Sequence, residues 1–197
     1  RPATFVVVGD VNSFAWPALL QDVLDAHAGK SGLYRVENGA VVSGLVRAEG
    51  TETAPFGALA QASLTTLEHE QVEGPRTALC LVSLRGICDE RGPVKSENDM
   101  VGAEMGADAL ERLAVALHES GVERVVFATP LFVEDAGPEL GLERVAIERL
   151  LSRGHAFVEA GPDIFSASRH YFPDAYAEDQ VHPNEFGTKL VAEEWYR

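Results

Sequence analysis

Asp179 and His182 stand three residues apart in the segment E-D-Q-V-H-P-N, just ahead of a helical pattern that runs to the end of the chain. A carboxylate that close to an imidazole can accept a hydrogen bond from one ring nitrogen. The bond fixes the tautomer and leaves the other nitrogen free to take a proton, which is how a general base works. Plainer uses exist for the same residues: Asp179 as a loop carboxylate and Pro183 as a helix-start residue. The remaining histidines are scattered. His69, His118 and His155 lie on or beside helical patterns and read as solvated or partly packed. No GxxxxGK[ST], GxGxxG after the first strand, HExxH or paired CxxC occurs, so neither a metal nor a cofactor is expected.

Composition narrows the partners. The 197 residues carry a net charge of −15, and 31 acidic groups would repel a nucleic-acid backbone. No run of about 18 apolar residues occurs, so no membrane span is expected. Two cysteines, Cys80 and Cys88, make no disulfide framework and suit a reducing, cytoplasmic compartment. The chain opens on Arg1, which leaves open the removal of a leader. The expected partner is a small molecule, with the oligomeric state left open.

The elements that must hold such a pair in place alternate along the chain. Short apolar runs at 4–9, 33–37, 77–84, 124–128 and 156–160 read as strands. Amphipathic segments at 16–28, 56–69, 103–120 and 140–153, with a last one after Pro183, read as helices, and Gly121 and Gly154 read as C-terminal stops. Strand–helix alternation predicts βαβ units with right-handed crossovers. The expectation is one domain over 1–197: a three-layer α/β/α sandwich on a parallel sheet of about five strands. The long connections at 39–55, 86–99, 130–139 and 161–182 are the natural hosts of a site, three of them following carboxyl ends of strands.

Several blocks along this frame resemble the SGNH/GDSL hydrolases. The D-x-x-H-P-N block and its closing helix match that family's last block. The first strand ends in Gly9-Asp10, where the family has Gly-Asp-Ser, and Trp16-Pro17 follows with Leu19 and Leu20. The run V-E-N-G-A-V-V-S-G ends at Gly44, the position of the family's oxyanion-hole glycine. Gly86-Ile87-Cys88-Asp89 stands where the family has Gly-x-Asn-Asp. Together with the strand–helix alternation, the resemblance implies a flavodoxin-like fold with strand order 2-1-3-4-5 and ester chemistry, with Asp10, Val11, Ser43 and Gly44 lining the substrate.

Two departures change the expected mechanism. Val11 occupies the serine position and can neither attack nor give up a proton, so the usual acyl-enzyme cannot form there. Cys88 occupies the asparagine position and is at best a weak donor. Ser13, Cys88 and Ser43 are the replacement nucleophiles to consider. Ser13 also reads as a helix N-cap, and Cys88 as a small buried hydrophobe. A route without a protein nucleophile has His182 activate water, or abstract a substrate proton in an elimination or isomerisation. The opposing reading is an inactive relative that binds a small ligand in the old pocket.

Overall fold

The computed structural model describes residues 2–9, 11–29, 31–40, 74–82, 100–134 and 139–197. Among them run β1 (Ala3–Gly9), α1 (Trp16–Ala28), β2 (Tyr34–Asn38), β3 (Arg76–Leu81), α2 (Met100–Glu119), β4 (Arg124–Phe127), α3 (Glu139–Ser152), β5 (Val158–Ala160), α4 (Ile164–His170) and α5 (Glu185–Tyr196). All five strands are parallel, in the order β2-β1-β3-β4-β5. The expected order and α/β class are those observed. The helix expected at 56–69 lies outside the described residues. None of the described helices is long and apolar enough to cross a membrane.

Alternation along β1 explains why both faces of the sheet are covered. Val6 and Val8, with Ala78, Cys80, Val125 and Phe127, pack against Leu110, Leu113 and Leu117 of α2 and Leu150 of α3. Val7 points the other way with Leu79 and Leu81, into a cluster with Trp16 and Leu20 of α1 and Val191 of α5. Strands buried on both faces must be apolar nearly throughout. Burial pushes the Cys80 thiol far above its usual range, as befits a buried hydrophobe.

Helix ends follow local rules. Gly121 lies at φ 95°, and the N–H groups of Gly121 and Val122 donate to the carbonyls of His118 and Leu117. That pair of bonds is the Schellman closure, and only glycine adopts its left-handed backbone cheaply. An ionic lattice joins α2 to the end of α3: Arg153 donates to Asp108 at 2.7 Å and also meets Glu104 and Glu111, while Arg149 reaches Glu104 at 2.6 Å. His155 bonds Glu111, and His118 stacks on Phe157 with centroids 4.1 Å apart. Both histidines are packed parts of the scaffold.

Three expectations need correction. The 161–182 connection contains α4, seven residues with no apolar periodicity, started by Asp163, which accepts from the backbone N–H of Ser166. β3 stops at Leu81, where its neighbour β1 ends at Gly9. β5 is shortened to Val158–Ala160, because Val158 N–H turns back to the His155 carbonyl.

The two-faced core sets a testable cost. Leu110 is fully buried in the α2 face, and Leu110→Ala should destabilise the fold by about 2–5 kcal/mol in urea unfolding.

Candidate functional site

The Asp179–His182 pair is built on a short folded-back strap, which is anchored from the end of β4. Thr129 Oγ1 donates to Asp163 Oδ1 at 2.9 Å and accepts from Phe165 N–H at 2.9 Å, so the chain leaving β4 is fastened to the start of α4. Ser168 Oγ donates to the Ile164 carbonyl and accepts from Phe132 N–H. The Tyr176 hydroxyl donates to the Phe132 carbonyl at 2.5 Å. Tyr176 itself is buried beside Leu81, Ala128 and Leu131. These residues end β3 or follow β4, so the strap rests over the carboxyl end of the sheet, where open α/β folds place their sites.

The strap then reverses. Tyr176 and Pro183 form an antiparallel bridge, Ala177 N–H donates to the His182 carbonyl, and Gln180 N–H donates to the Ala177 carbonyl. Gln180 takes a left-handed backbone, φ 56°, at the tip. Inside this turn Asp179 Oδ1 accepts from the backbone N–H groups of Val181 and His182, both at 3.0 Å. Its Oδ2 lies 2.6 Å from His182 Nδ1. The His182 hydrogen bond, helped by the two backbone donors, holds the Asp179 carboxyl well below the usual carboxylate range. An ionised carboxylate only accepts, so Nδ1 carries the proton and donates it. In the neutral ring, Nε2 then holds the lone pair. Among the described residues it has no hydrogen-bond partner, and the side chain is 48% exposed. A tethered imidazole with an accessible lone pair can take a proton from water or substrate.

Asn184 fixes the strap to α5. It is the N-cap, its Oδ1 accepting from Gly187 N–H at 3.0 Å. Its Nδ2 donates to the carbonyls of Asp174 at 2.8 Å and Tyr176 at 2.9 Å. Pro183 thus precedes the cap and is not the helix-start residue. Gly187 completes the joint: a Cβ there would lie 2.0 Å from the Ala175 carbonyl oxygen. The sequence reading missed both roles. An Asn with Gly three residues on at a helix start was the available signal.

Ser13 lies on the other side of the fold's switch point, in a 3-10 turn (Val11–Ser13) after β1. It is fully buried, and its Oγ has no hydrogen-bond partner among the described residues. The hydroxyl is packed over Gly9, where a Cβ would come within 2.2 Å of it. No hydrogen bond joins it to Asp179 or His182. Its expected N-cap role is corrected: α1 starts at Trp16, the cap position is Ala15, and no side chain caps it. Asp10, Ser43, Gly44 and Cys88 lie outside the described residues, as does His69, and of Val11 only the backbone is described.

The joint and the clamp yield separate expectations. Gly187→Ala should cost more stability in urea unfolding than Asn184→Ala, because the new methyl collides with backbone. Asn184→Ala should cost about 1–2 kcal/mol, the usual loss for a removed cap. In a carbon-13 titration, Asp179 should show no protonation step near pH 4, the ordinary aspartate value. Its depressed folded-state value makes the clamp stabilising above that pH, and the contribution is lost only as pH falls further, through the folded value.

No protein-family model matches this chain, and no curated protein sequence matches it. Solved structures do match. The structure of TesA aligns over 98% of this chain and 96% of its own at 18% identity, with a TM-score of 0.63. A member of the lipolytic protein G-D-S-L family from Veillonella parvula aligns over 98% and 95%, at 15% identity and a TM-score of 0.56. A carbohydrate esterase family 3 structure from Talaromyces cellulolyticus aligns over 98% and 93%, at 12% identity and a TM-score of 0.64. A likeness at such identities is one of architecture: this chain has the fold of the SGNH/GDSL esterases.

Proposed function

We propose that the chain hydrolyses an acyl ester or a related small substrate, with His182 as general base and Asp179 as its orienting partner. The observation that supports the reading is the 2.6 Å contact between Asp179 Oδ2 and His182 Nδ1, backed by two backbone donors on the same carboxylate. Structures sharing the fold include proteins described as an acetyl esterase, an acetyl xylan esterase and a lipase.

The step that suits these residues uses water. His182 Nε2 takes a proton as the water oxygen bonds to the ester carbonyl carbon, giving a tetrahedral oxyanion. The bond to the alkoxy oxygen then breaks, and the leaving oxygen recovers the proton from Nε2. Asp179 stays ionised and offsets the imidazolium charge between the two events. Backbone N–H groups at Val11, and at Gly44 outside the described residues, are the positions the family resemblance offers for the oxyanion. Water is preferred over Ser13 because the Ser13 hydroxyl is buried against Gly9. Cys88 and Ser43 remain the other protein nucleophiles of this proposal.

The second reading, a ligand-binding relative without turnover, is favoured by Val11 in the serine position. Short-chain p-nitrophenyl esters separate the two. Turnover should be slow but measurable, and His182→Ala should lower it by at least about 100-fold, the lower range of general-base catalysis. Asp179→Asn should also lower it, by releasing the tautomer. A serine- or thiol-directed covalent inhibitor should leave no adduct that blocks turnover. An adduct on Ser13, Ser43 or Cys88 that abolishes activity would replace the water route. Ligand binding with no turnover of any ester would favour the second reading.

A further inference from the structure

Two large rings stand exposed on the same strap as the dyad. Tyr171 is 42% and Phe186 44% exposed, although apolar rings of this size are usually covered. They meet edge to face, with centroids 5.2 Å apart and planes at 87°, and His170 packs edge to face on Tyr171 at 4.8 Å. The pairing makes a right-angled corner.

The strap carries this corner and the dyad together. His182 pairs with Ala177, Pro183 with Tyr176 and Asn184 with Ala175, before Gly187 closes on Ala175. Phe186 then meets Tyr171 at the far end of the same run. Phe186 follows His182 by four positions, at most about 14 Å of extended chain, and less because α5 begins at Glu185. The corner and the dyad thus share one short run of chain, and a small molecule is the ligand to consider at the corner. Charge narrows what it can be: Asp174, Glu178, Asp179 and Glu185 outnumber His170 and His182 on this segment, so a negatively charged group is disfavoured and an uncharged ring meets no such penalty.

We infer that Tyr171 and Phe186 form a binding corner for an uncharged ring in the substrate of the His182 site, selecting esters whose alcohol part carries a flat ring. The inference rests on the hydrolase reading for its substrate, but the corner itself is a binding surface. A ring seated there lies against the face of one aromatic side chain and the edge of the other, both favourable arrangements. The site would then discriminate through substrate binding, with the base unchanged.

The test compares benzyl acetate with propyl acetate, whose alcohols leave with similar ease, and uses benzyl alcohol as a ligand that cannot be hydrolysed. The wild-type chain should favour benzyl acetate by about three- to tenfold in kcat/KM, carried by KM, in line with one aromatic contact. Tyr171→Leu and Phe186→Leu keep apolar bulk and remove the flat ring. Each should erase the preference, bringing kcat/KM for benzyl acetate to the level of propyl acetate. Benzyl alcohol should shift the amide resonances of residues 171 and 186 in the wild type and not in Phe186→Leu. If neither ester is turned over while those resonances still shift, the hydrolase reading fails and the corner stands. Equal rates on both esters without shifts overturn the corner and spare the hydrolase reading. A concentration-dependent association of the chain that Phe186→Leu abolishes would also overturn it, making the corner a contact between copies.

Discussion

The carboxamide of Asn184 holds the candidate site together. Its three hydrogen bonds end on Gly187, Asp174 and Tyr176, so one side chain starts α5 and pins the strap that bends back over it. Each of those backbone groups would otherwise need water or another partner. The dyad inherits its geometry from this joint. Asp179 and His182 are about half exposed, and two such side chains would not stay in register by their own attraction. Backbone bonds at Val181 and His182, and the bridge from Tyr176 to Pro183, supply the constraint.

Below the strap, the sheet decides where the joint sits. Parallel pairing aligns the carboxyl ends of β1, β3 and β4, with Gly9 opposite Leu81 and Cys80 opposite Phe127. The chain turns soon after β1 and after β4, with a different device at each. After β1, a 3-10 turn tucks Ser13 against Gly9. After β4, Thr129 locks onto the Asp163 cap of α4. Tyr176 reaches down to the same layer through Phe132. The rim is rigid where these bonds accumulate, and the strap borrows that rigidity.

Much of this was legible in the sequence, for identifiable reasons. The parallel sheet follows from βαβ alternation and handedness, its strand order came from the family resemblance of the blocks as well, and α1 matched its expected bounds because Pro17 and Gly29 mark its two ends. The Asp179–His182 contact was legible because a turn makes a three-residue spacing local. α4 was not, since seven residues give too little periodicity and its start depends on Thr129, 34 residues earlier than Asp163. The burial of Ser13 was equally hidden, because it arises from a close approach to Gly9 that no local pattern encodes. The need for glycine at 187 came from Ala175, which meets it only after the chain has folded back.

The division of labour between the two ends of the chain bears on how Val11 can coexist with an intact dyad. Among the described residues, the hydrogen bonds that join Asp179 to His182 and close the turn around them lie within residues 174–188, whereas position 11 belongs to the turn after β1. The two regions meet through helix packing: α1 lies against α5, with Trp16 stacked on Trp195 at 5.6 Å and His27 on Tyr196 at 4.4 Å. Those contacts fix the relative position of the halves without passing through the side chain at position 11. On the proposed reading, valine at that position removes a nucleophile, while the hydrogen bonds that set the base and its tautomer are made elsewhere in the chain. Under the proposal made above, a site assembled this way keeps its proton acceptor without a serine at position 11, and water is the simplest attacker.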